Sequence, residues 1–184
     1  GAFVWSGFDF LGEPVPYQWP SRSSYYGIID LAGFPKDIYY MYQSEWAQKP
    51  VLHLFPHWNW KQGQTVDVWA YFSQADEVEL FLNGTSVGIR TKNDSSLHAM
   101  WRLEFVPGQL KAVSRKHGKT VLESSIQTAA NPYQIVMRTA HSALNAAENE
   151  LGFVEITVVD ANGVPVQTAE NAISLSVQGV GKLE

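Results

Sequence analysis

The sequence predicts a mainly β chain built from three parts. Residues 51–130 are predicted to form an immunoglobulin-like β-sandwich, because short alternating segments and turn signals recur there about every ten residues. Residues 1–50 are predicted to form the last strand, loop and helix of a (β/α)8 barrel, because an apolar run is followed by a long loop and then by helical periodicity. Residues 131–184 are predicted to begin a second, truncated immunoglobulin-like domain, because they hold fewer strand-like segments than a sandwich needs.

The N-terminal part begins with a predicted strand, Ala2-Phe3-Val4-Trp5. A loop rich in Gly, Pro, aromatic and carboxylate residues follows from Ser6 to Gly33, and loops of this length in compact proteins are usually functional. Residues 35–47 are predicted to form a helix. Pro35 suits a first helical turn, and one face carries the i, i+3, i+4 and i+8 positions Ile38, Met41, Tyr42 and Trp46.

The middle part changes to a period of two. Two hairpins are predicted, one around Asn83-Gly84 and one around Lys116-His117-Gly118, since Asn-Gly supplies the positive-φ pair of a type I′ turn. Further strands are predicted at residues 51–56, 64–72 and 99–105.

The C-terminal part holds three predicted strands, at residues 133–138, 152–160 and 172–177, and a turn at 160–165. Three strands are marginal for an independent domain. We therefore expect this domain to be incomplete.

Composition excludes several classes of protein. Apolar residues make up 45% of the chain and charged residues 17%, which is typical of a globular protein. The net charge of −5 and the lack of clustered Lys and Arg predict no nucleic-acid partner. There is no cysteine and no apolar run of membrane-spanning length, so we predict no disulfide, no thiolate metal site and no membrane insertion. Cytoplasm, periplasm and cell surface all remain open.

Four residues of the long N-terminal loop are candidate substrate-binding residues. Trp5 lies at the end of the predicted barrel strand, where barrels hold their active sites, and sugar stacking is favoured over core packing. Asp9 and Glu13 are too close in sequence to form an acid/base pair on rigid elements, so ligand hydrogen bonding or capping of the loop backbone is favoured. Arg22 is a lone cation, for which an ion pair that pins the loop and a substrate contact are both open.

The other polar motifs predict structural roles. The five histidines, His53, His57, His98, His117 and His141, show no metal-ligand spacing. The aromatic cluster at residues 57–60 is more typical of packing between two domains than of a sugar-binding platform. The Asn83-Gly84-Thr85 sequon is already explained by its hairpin. No phosphate-binding loop, serine nucleophile elbow or thiol site is present, and we predict no cofactor.

These segments resemble family 2 glycoside hydrolases of the β-galactosidase group. The resemblance is carried by FVWSGFDFLGEP at residues 3–14, WPSRSSYYGIIDLAGFPKD at 19–37 and PHWNW at 56–60, which are similar to the end of the catalytic barrel in that family. VELFLNG at residues 78–84 resembles the immunoglobulin-like domain that follows the barrel, and VVDANG at 158–163 resembles the next sandwich.

The resemblance implies that the parent protein is a retaining β-galactosidase acting on terminal β-linked galactose. In the family, two glutamates on the fourth and seventh barrel strands do the chemistry, and neither strand is on this chain, so the resemblance implies no catalytic residue here. The magnesium site of some relatives uses ligands from earlier strands, so it also implies no metal site on this chain. Trp5 corresponds to the tryptophan that lines the subsite of the cleaved sugar. The implied partners are a β-galactoside or oligosaccharide substrate and an N-terminal barrel, and a homo-oligomer remains open.

Two functions therefore compete. The first is a non-catalytic portion of a β-galactosidase that supplies one wall of its sugar pocket. The second is a non-catalytic carbohydrate-binding sandwich. A lone β/α unit cannot bury both faces of its strand, so we expect residues 1–48 to lie over the sandwich, to pair with another molecule, or to be partly mobile.

Overall fold

The computed structural model describes residues 3–93, 96–139, 143–145 and 150–182. This part of the chain is mainly β, with one short helix and several small sheets. None of its helices is both long and apolar enough to cross a membrane. In chain order the elements are β1 (Ser6–Phe8), β2 (Gly27–Ile29), α1 (Asp37–Trp46), β3 (Leu52–Phe55), β4 (Thr65–Phe72), β5 (Glu77–Leu82), β6 (Thr85–Arg90), β7 (Ala99–Glu104), β8 (Gln109–Lys116), β9 (Lys119–Gln127), β10 (Gln134–Thr139) and β11 (Val154–Val159).

The middle of the chain, residues 51–130, forms a two-sheet unit. One antiparallel sheet has the order β3-β4-β7 and the other has the order β6-β5-β8-β9. The alternation predicted from the sequence is confirmed, because every second residue of β4 points into the core shared by the two sheets. The largest fully buried side chains of that core are Trp58, Trp101, Phe72, Leu80 and Leu110.

Both predicted hairpin turns are confirmed. Asn83 and Gly84 have φ values of 51° and 80°, and His117 and Gly118 have φ values of 49° and 74°. Paired left-handed residues match the right-handed twist of the flanking strands. These two turns fix the registers of β5 with β6 and of β8 with β9.

The N-terminal part differs from its prediction. The strand predicted at residues 2–5 is wrong: the strand is β1, three residues long, and it pairs in parallel with β2 inside the stretch predicted to be an unstructured loop. Ala2 lies outside the described residues. The strand forms at β1 because β2 lies beside it as a partner. Gly27 allows the two backbones to approach closely, since a Cβ there would lie 2.1 Å from the backbone nitrogen of Asp9. The predicted helix is confirmed as α1, although Pro35 precedes it.

Two of the three strands predicted in the C-terminal part are confirmed. β10 and β11 pair antiparallel, and the turn at residues 160–165 is present. The strand predicted at 172–177 is wrong, because that segment has no regular structure and no ladder partner among the described residues. Its apolar side chains at 173, 175 and 177 are 40–52% exposed, so burial does not hold it in a strand.

Candidate functional site

The four predicted site residues lie on or beside the β1–β2 connection. Trp5 precedes β1 and is 85% exposed, while Asp9 follows β1 directly and is 8% exposed. Glu13 is exposed and has a left-handed φ of 46°. In the described part of the chain, no hydrogen bond, ion pair or ring contact joins any two of Trp5, Asp9, Glu13 and Arg22.

Asp9 joins three elements through its carboxylate. Oδ1 accepts hydrogen bonds from the backbone nitrogen of Gly27 at 2.9 Å and from Lys36 Nζ at 2.8 Å. Oδ2 lies 2.7 Å from the same ammonium. The carboxylate therefore ties the end of β1 to the start of β2 and to the residue before α1. Ligand hydrogen bonding and capping of the loop backbone were the two roles predicted for Asp9, and the hydrogen bond from Gly27 is a capping contact.

The β1–β2 connection is further held by its own backbone. Gly12 donates to the carbonyl of Arg22 at 2.7 Å, and Ser24 donates to the carbonyl of Phe10 at 2.8 Å. The Ser24 hydroxyl, fully buried, accepts from the nitrogen of Phe10 at 3.0 Å. These bonds close the base of the connection and leave its tip as an exposed loop.

Arg22 lies over an exposed indole at the tip of the connection. Its guanidinium carbon is 4.5 Å from the centroid of the Trp19 ring, and Trp19 is 75% exposed. A T-shaped pair of Tyr17 and Tyr25 lies in the same loop, with ring centroids 4.7 Å apart. Arg22 makes no ion pair with a carboxylate of the described chain, so the pinning ion pair considered above is replaced by a cation–π contact.

The N-terminal segment, residues 3–50, exposes many large apolar side chains. They include Phe3 at 92% exposure, Leu11 at 79% and Trp46 at 61%. Soluble proteins rarely leave such side chains together in water, and a contiguous apolar surface marks an interaction site. Trp5 does not pack against the two-sheet unit, which is the observation that would have shown these residues lying over the sandwich.

Helix α1 nevertheless contacts the two-sheet unit. The ring of Tyr40 stacks on His53 of β3 with centroids 3.8 Å apart and planes 10° from parallel. His53 Nε2 lies 2.7 Å from the Asp37 carboxylate. Burial together with the nearby charge of Asp37 raises the pKa of Tyr71 on the neighbouring strand. The contacts of Tyr40 and Asp37 with His53 therefore attach the N-terminal segment to the two-sheet unit at β3.

A groove lies where the two-sheet unit meets the C-terminal part. This junction groove encloses about 600 Å³, and its lining includes His57, Trp60, Lys61, Gln64, Pro107 and Thr168. A second hollow of about 340 Å³ shares His57 and Asn59 with it. The sequence pattern at residues 57–60 indicated aromatic packing, but it gave no sign of the groove, because Pro107, Thr128 and Thr168 come from distant segments.

The aromatic cluster of residues 57–60 divides into core and groove. Trp58 is fully buried, and its Nε1 donates to the carbonyl of Val106 at 2.9 Å. Asn59 exchanges two hydrogen bonds of 3.2 Å with the backbone of Ala129, at the start of the link to β10. Both sets of contacts lie within residues 51–130, so they are packing inside one predicted domain, and packing of this cluster between two domains stays a prediction. Trp60, in contrast, faces the groove.

The described histidines make structural contacts. His57 stacks on Trp60, His98 stacks on Trp69, and burial lowers the pKa of both imidazoles. His117 occupies its turn, and His141 lies outside the described residues. No group of three or more metal-ligating side chains occurs in the part of the chain that the structure describes.

Two family models match the chain. Residues 63–122 match a domain of unknown function, DUF4982, and residues 135–184 match the model for glycoside hydrolase family 2 C-terminal domain 5. Among curated proteins, the β-galactosidase BoGH2A of Bacteroides ovatus is 53% identical over 98% of the chain and 21% of its own length. A putative β-glucuronidase of Formosa agariphila is 35% identical over 97% of the chain and 18% of its own length.

Solved structures show the same likeness. A β-glycosidase from Bacteroides vulgatus superposes with a TM-score of 0.77 at 37% identity, covering 87% of this chain and 20% of that one. A family 2 glycosyl hydrolase from Bacteroides cellulosilyticus superposes with a TM-score of 0.81 at 26% identity, covering 90% of this chain and 26% of that one. The chain thus spans about a fifth to a quarter of the length of the relatives it matches.

Proposed function

The chain belongs to the C-terminal region of family 2 glycoside hydrolases, and from this premise we propose that it is part of a retaining β-galactosidase that hydrolyses terminal β-linked galactose from glycans. The observation that carries the proposal is the 53% identity to a β-galactosidase across 98% of the chain. The 35% identity to a putative β-glucuronidase over a similar span makes the glucuronide the competing substrate.

Within that enzyme we assign three regions to the chain. Residues 1–50 form the end of the catalytic barrel, residues 51–130 an immunoglobulin-like sandwich, and residues 131–184 the start of a second one. The two-sheet topology of the middle unit and its shared core support the sandwich. The parallel pairing of β1 with β2 and the helix that follows support the barrel assignment, since parallel strands with a covering helix are the repeating unit of a barrel.

The proposed role of the N-terminal segment is to supply one wall of the sugar pocket. Trp5 presents an exposed indole, and a flat apolar ring of this kind packs against the C–H face of a pyranose. Glu13 and Arg22 lie on the exposed connection and are assigned to polar contacts with the substrate. Asp9 is assigned mainly to positioning, because its carboxylate holds β1, β2 and Lys36 together beneath that wall.

The catalytic groups are proposed to lie elsewhere in the protein. The resemblance puts the acid/base and the nucleophile on barrel strands that precede this chain, held about 5 Å apart for a retaining reaction. The chain alone would then hydrolyse no glycoside.

The test compares the isolated chain with the full-length protein. We expect the purified 184-residue chain to release no nitrophenol from nitrophenyl β-galactoside, and the full-length protein to hydrolyse it faster than nitrophenyl β-glucuronide. In the full-length protein, Trp5→Ala should lower kcat/KM at least tenfold, about 1.4 kcal/mol of lost transition-state binding. Trp46→Ala, which removes another exposed indole, is the matched control. Turnover by the isolated chain would contradict the proposal, as would a full-length protein that prefers the glucuronide.

A non-catalytic carbohydrate-binding function is the second candidate. The junction groove favours it, because it presents an aromatic ring and free polar side chains together. The two functions do not exclude each other, since the groove and the β1–β2 connection lie on different parts of the chain.

A further inference from the structure

We infer that the junction groove is a binding site for a neutral oligosaccharide, separate from the pocket where hydrolysis is proposed to take place. The groove lies between the loop at residues 57–64, the segment at 105–107 and the C-terminal part. Its volume of about 600 Å³ is within the range of small-molecule sites. The adjoining hollow of about 340 Å³ shares His57 and Asn59 with it, and the two hollows together offer room for more than one sugar unit.

The floor of the groove is a fixed aromatic platform. Trp60 Nε1 donates to the carbonyl of His57 at 2.7 Å, and the two rings stack with centroids 4.5 Å apart and planes 12° from parallel. His57 Nδ1 in turn accepts from the backbone nitrogen of Asn59 at 3.2 Å. Burial lowers the pKa of His57, which favours the neutral imidazole, and a neutral ring that accepts at Nδ1 carries its proton on Nε2. A platform held in this way loses little conformational entropy when a sugar packs on it.

The rim of the groove offers side chains suited to hydroxyl groups. Lys61, Gln64, Gln127, Gln167 and Thr168 line the two hollows. Their side chains make no hydrogen bond or ion pair within the described chain. A side-chain amide donates and accepts at once, which matches the adjacent hydroxyl groups of a sugar. Aromatic floor and amide rim together are the chemistry of a saccharide site.

The charge of the lining selects a neutral ligand. Among the residues that the structure describes, no Asp or Glu lines either hollow, and Lys61 is the one charged residue in the lining. A polyanion would need several clustered cations. The groove is therefore built for hydroxyl groups rather than for sulfate, phosphate or repeated carboxylates.

The backbone of the groove argues against a peptide as its occupant. The nitrogen of Thr128 donates to Gly108, that of Ala129 donates to Asn59, and that of Ala130 donates to Asp160. A peptide that adds a strand needs free backbone groups along an edge. These three consecutive N–H groups already have partners, so recognition falls to the side chains.

The experiment is titration calorimetry of the 184-residue chain with three tetrasaccharides, β-1,4-galactotetraose, cellotetraose and xylotetraose. We expect at least one of them to bind. Gln64→Ala and Lys61→Ala, both at exposed positions, should each weaken that binding several-fold, and Trp60→Ala should weaken it at least tenfold. Trp46→Ala, at an exposed indole outside both proposed sites, is the control and should leave the affinity unchanged. Trp5→Ala is measured beside it to detect binding at the proposed wall.

Each outcome decides the inference. The absence of heat with all three probes overturns it, and so does binding that survives both Gln64→Ala and Lys61→Ala. Binding that is lost in Trp5→Ala would assign the sugar to the proposed catalytic wall instead. If Trp60→Ala fails to fold, the two exposed variants decide. Hydrolysis of a nitrophenyl glycoside by the full-length protein is measured separately, so the groove and the proposed function can fail independently.

Discussion

Gly108→Ala should be among the most destabilising single-methyl changes in the two-sheet unit. Gly108 has a φ of 138°, which L-residues rarely adopt, and an added Cβ would lie 1.8 Å from Asn83 Oδ1. That oxygen accepts from the backbone nitrogen of Gln109 at 2.8 Å, while Asn83 Nδ2 donates to the carbonyl of Pro107 at 3.1 Å. The new methyl group would therefore displace the side chain that fastens the β5–β6 turn to the start of β8.

The expected magnitude has two parts. Loss of the two Asn83 hydrogen bonds removes about 1–3 kcal/mol, at about 0.5–1.5 kcal/mol for each bond. The strained backbone adds about 1–3 kcal/mol. The sum is about 2–6 kcal/mol. Gly118→Ala is the control, because Gly118 also has a positive φ of 74° but has open space where the Cβ would go, so only strain should appear.

The assay is urea denaturation of the wild type, both single variants and the double variant Asn83→Gly/Gly108→Ala. Glycine at position 83 keeps the left-handed turn but removes both side-chain bonds and the clash. We expect the double variant to be about 1–3 kcal/mol more stable than the sum of the single changes predicts. A cycle that is additive, or a Gly108→Ala loss no larger than that of Gly118→Ala, would refute this reasoning.

Three further outcomes follow from particular contacts. The carboxylate of Asp160 accepts three backbone N–H bonds, which hold its pKa below the usual value. Its stabilising effect is therefore complete above the unfolded-state pKa of about 3.9 and is lost as the pH falls through the lower folded value. Asp160→Asn should lower the melting temperature at pH 7 and flatten the fall of the melting temperature between pH 5 and 2. Lys36→Met leaves the carboxylate of Asp9 with only its backbone donor, so chymotrypsin should cut residues 3–36 several-fold faster while the melting temperature of the two-sheet unit stays constant. Leu80→Ala, at a fully buried position, should cost about 2–5 kcal/mol in urea denaturation, whereas Leu97→Ala, at a 46% exposed position, should cost less than about 0.5 kcal/mol.

The middle of the fold could be predicted because its determinants are local. Asn83-Gly84 and His117-Gly118 specify their turns through positive φ, and the alternation of β4 specifies which face is buried. Strand pairing then follows from the turns, since a hairpin fixes the register of its two strands. The prediction of strands at 51–56, 64–72 and 99–105 needed no knowledge of distant residues.

The predictions failed where a segment depends on a distant partner. Phe3 and Val4 have strand-forming side chains, but no strand of the described chain pairs with them. Ser6–Phe8 has weaker propensity and pairs with Gly27–Ile29. The segment at 172–177 alternates correctly and still forms no strand, because nothing in the described chain pairs with it. Propensity describes what a segment can form, and only a partner's backbone groups decide whether it does.

The sequence supplied the residue types of the candidate site but not the contacts that those residues make. The sequence showed that Arg22 is the lone cation of its loop, yet could not show that it lies over Trp19 rather than beside a carboxylate. It also showed carboxylates at positions 9 and 13 but gave both the same alternative roles. The structure distinguishes them, since Asp9 is buried against Lys36 and Glu13 is exposed in a left-handed conformation.

The contrast in packing between the two candidate sites determines where each can be tested. The junction groove is built on a unit that closes its own core, and its platform residues are hydrogen-bonded within the described chain. The proposed wall around Trp5 belongs to a segment whose large apolar side chains are exposed. We propose that the geometry of this wall depends on a surface from outside that segment. Binding at the groove should therefore be measurable in the isolated chain, whereas the contribution of Trp5 should appear only in the full-length protein. Equal sugar binding by both sites in the isolated chain would show that the N-terminal segment is organised without such a surface.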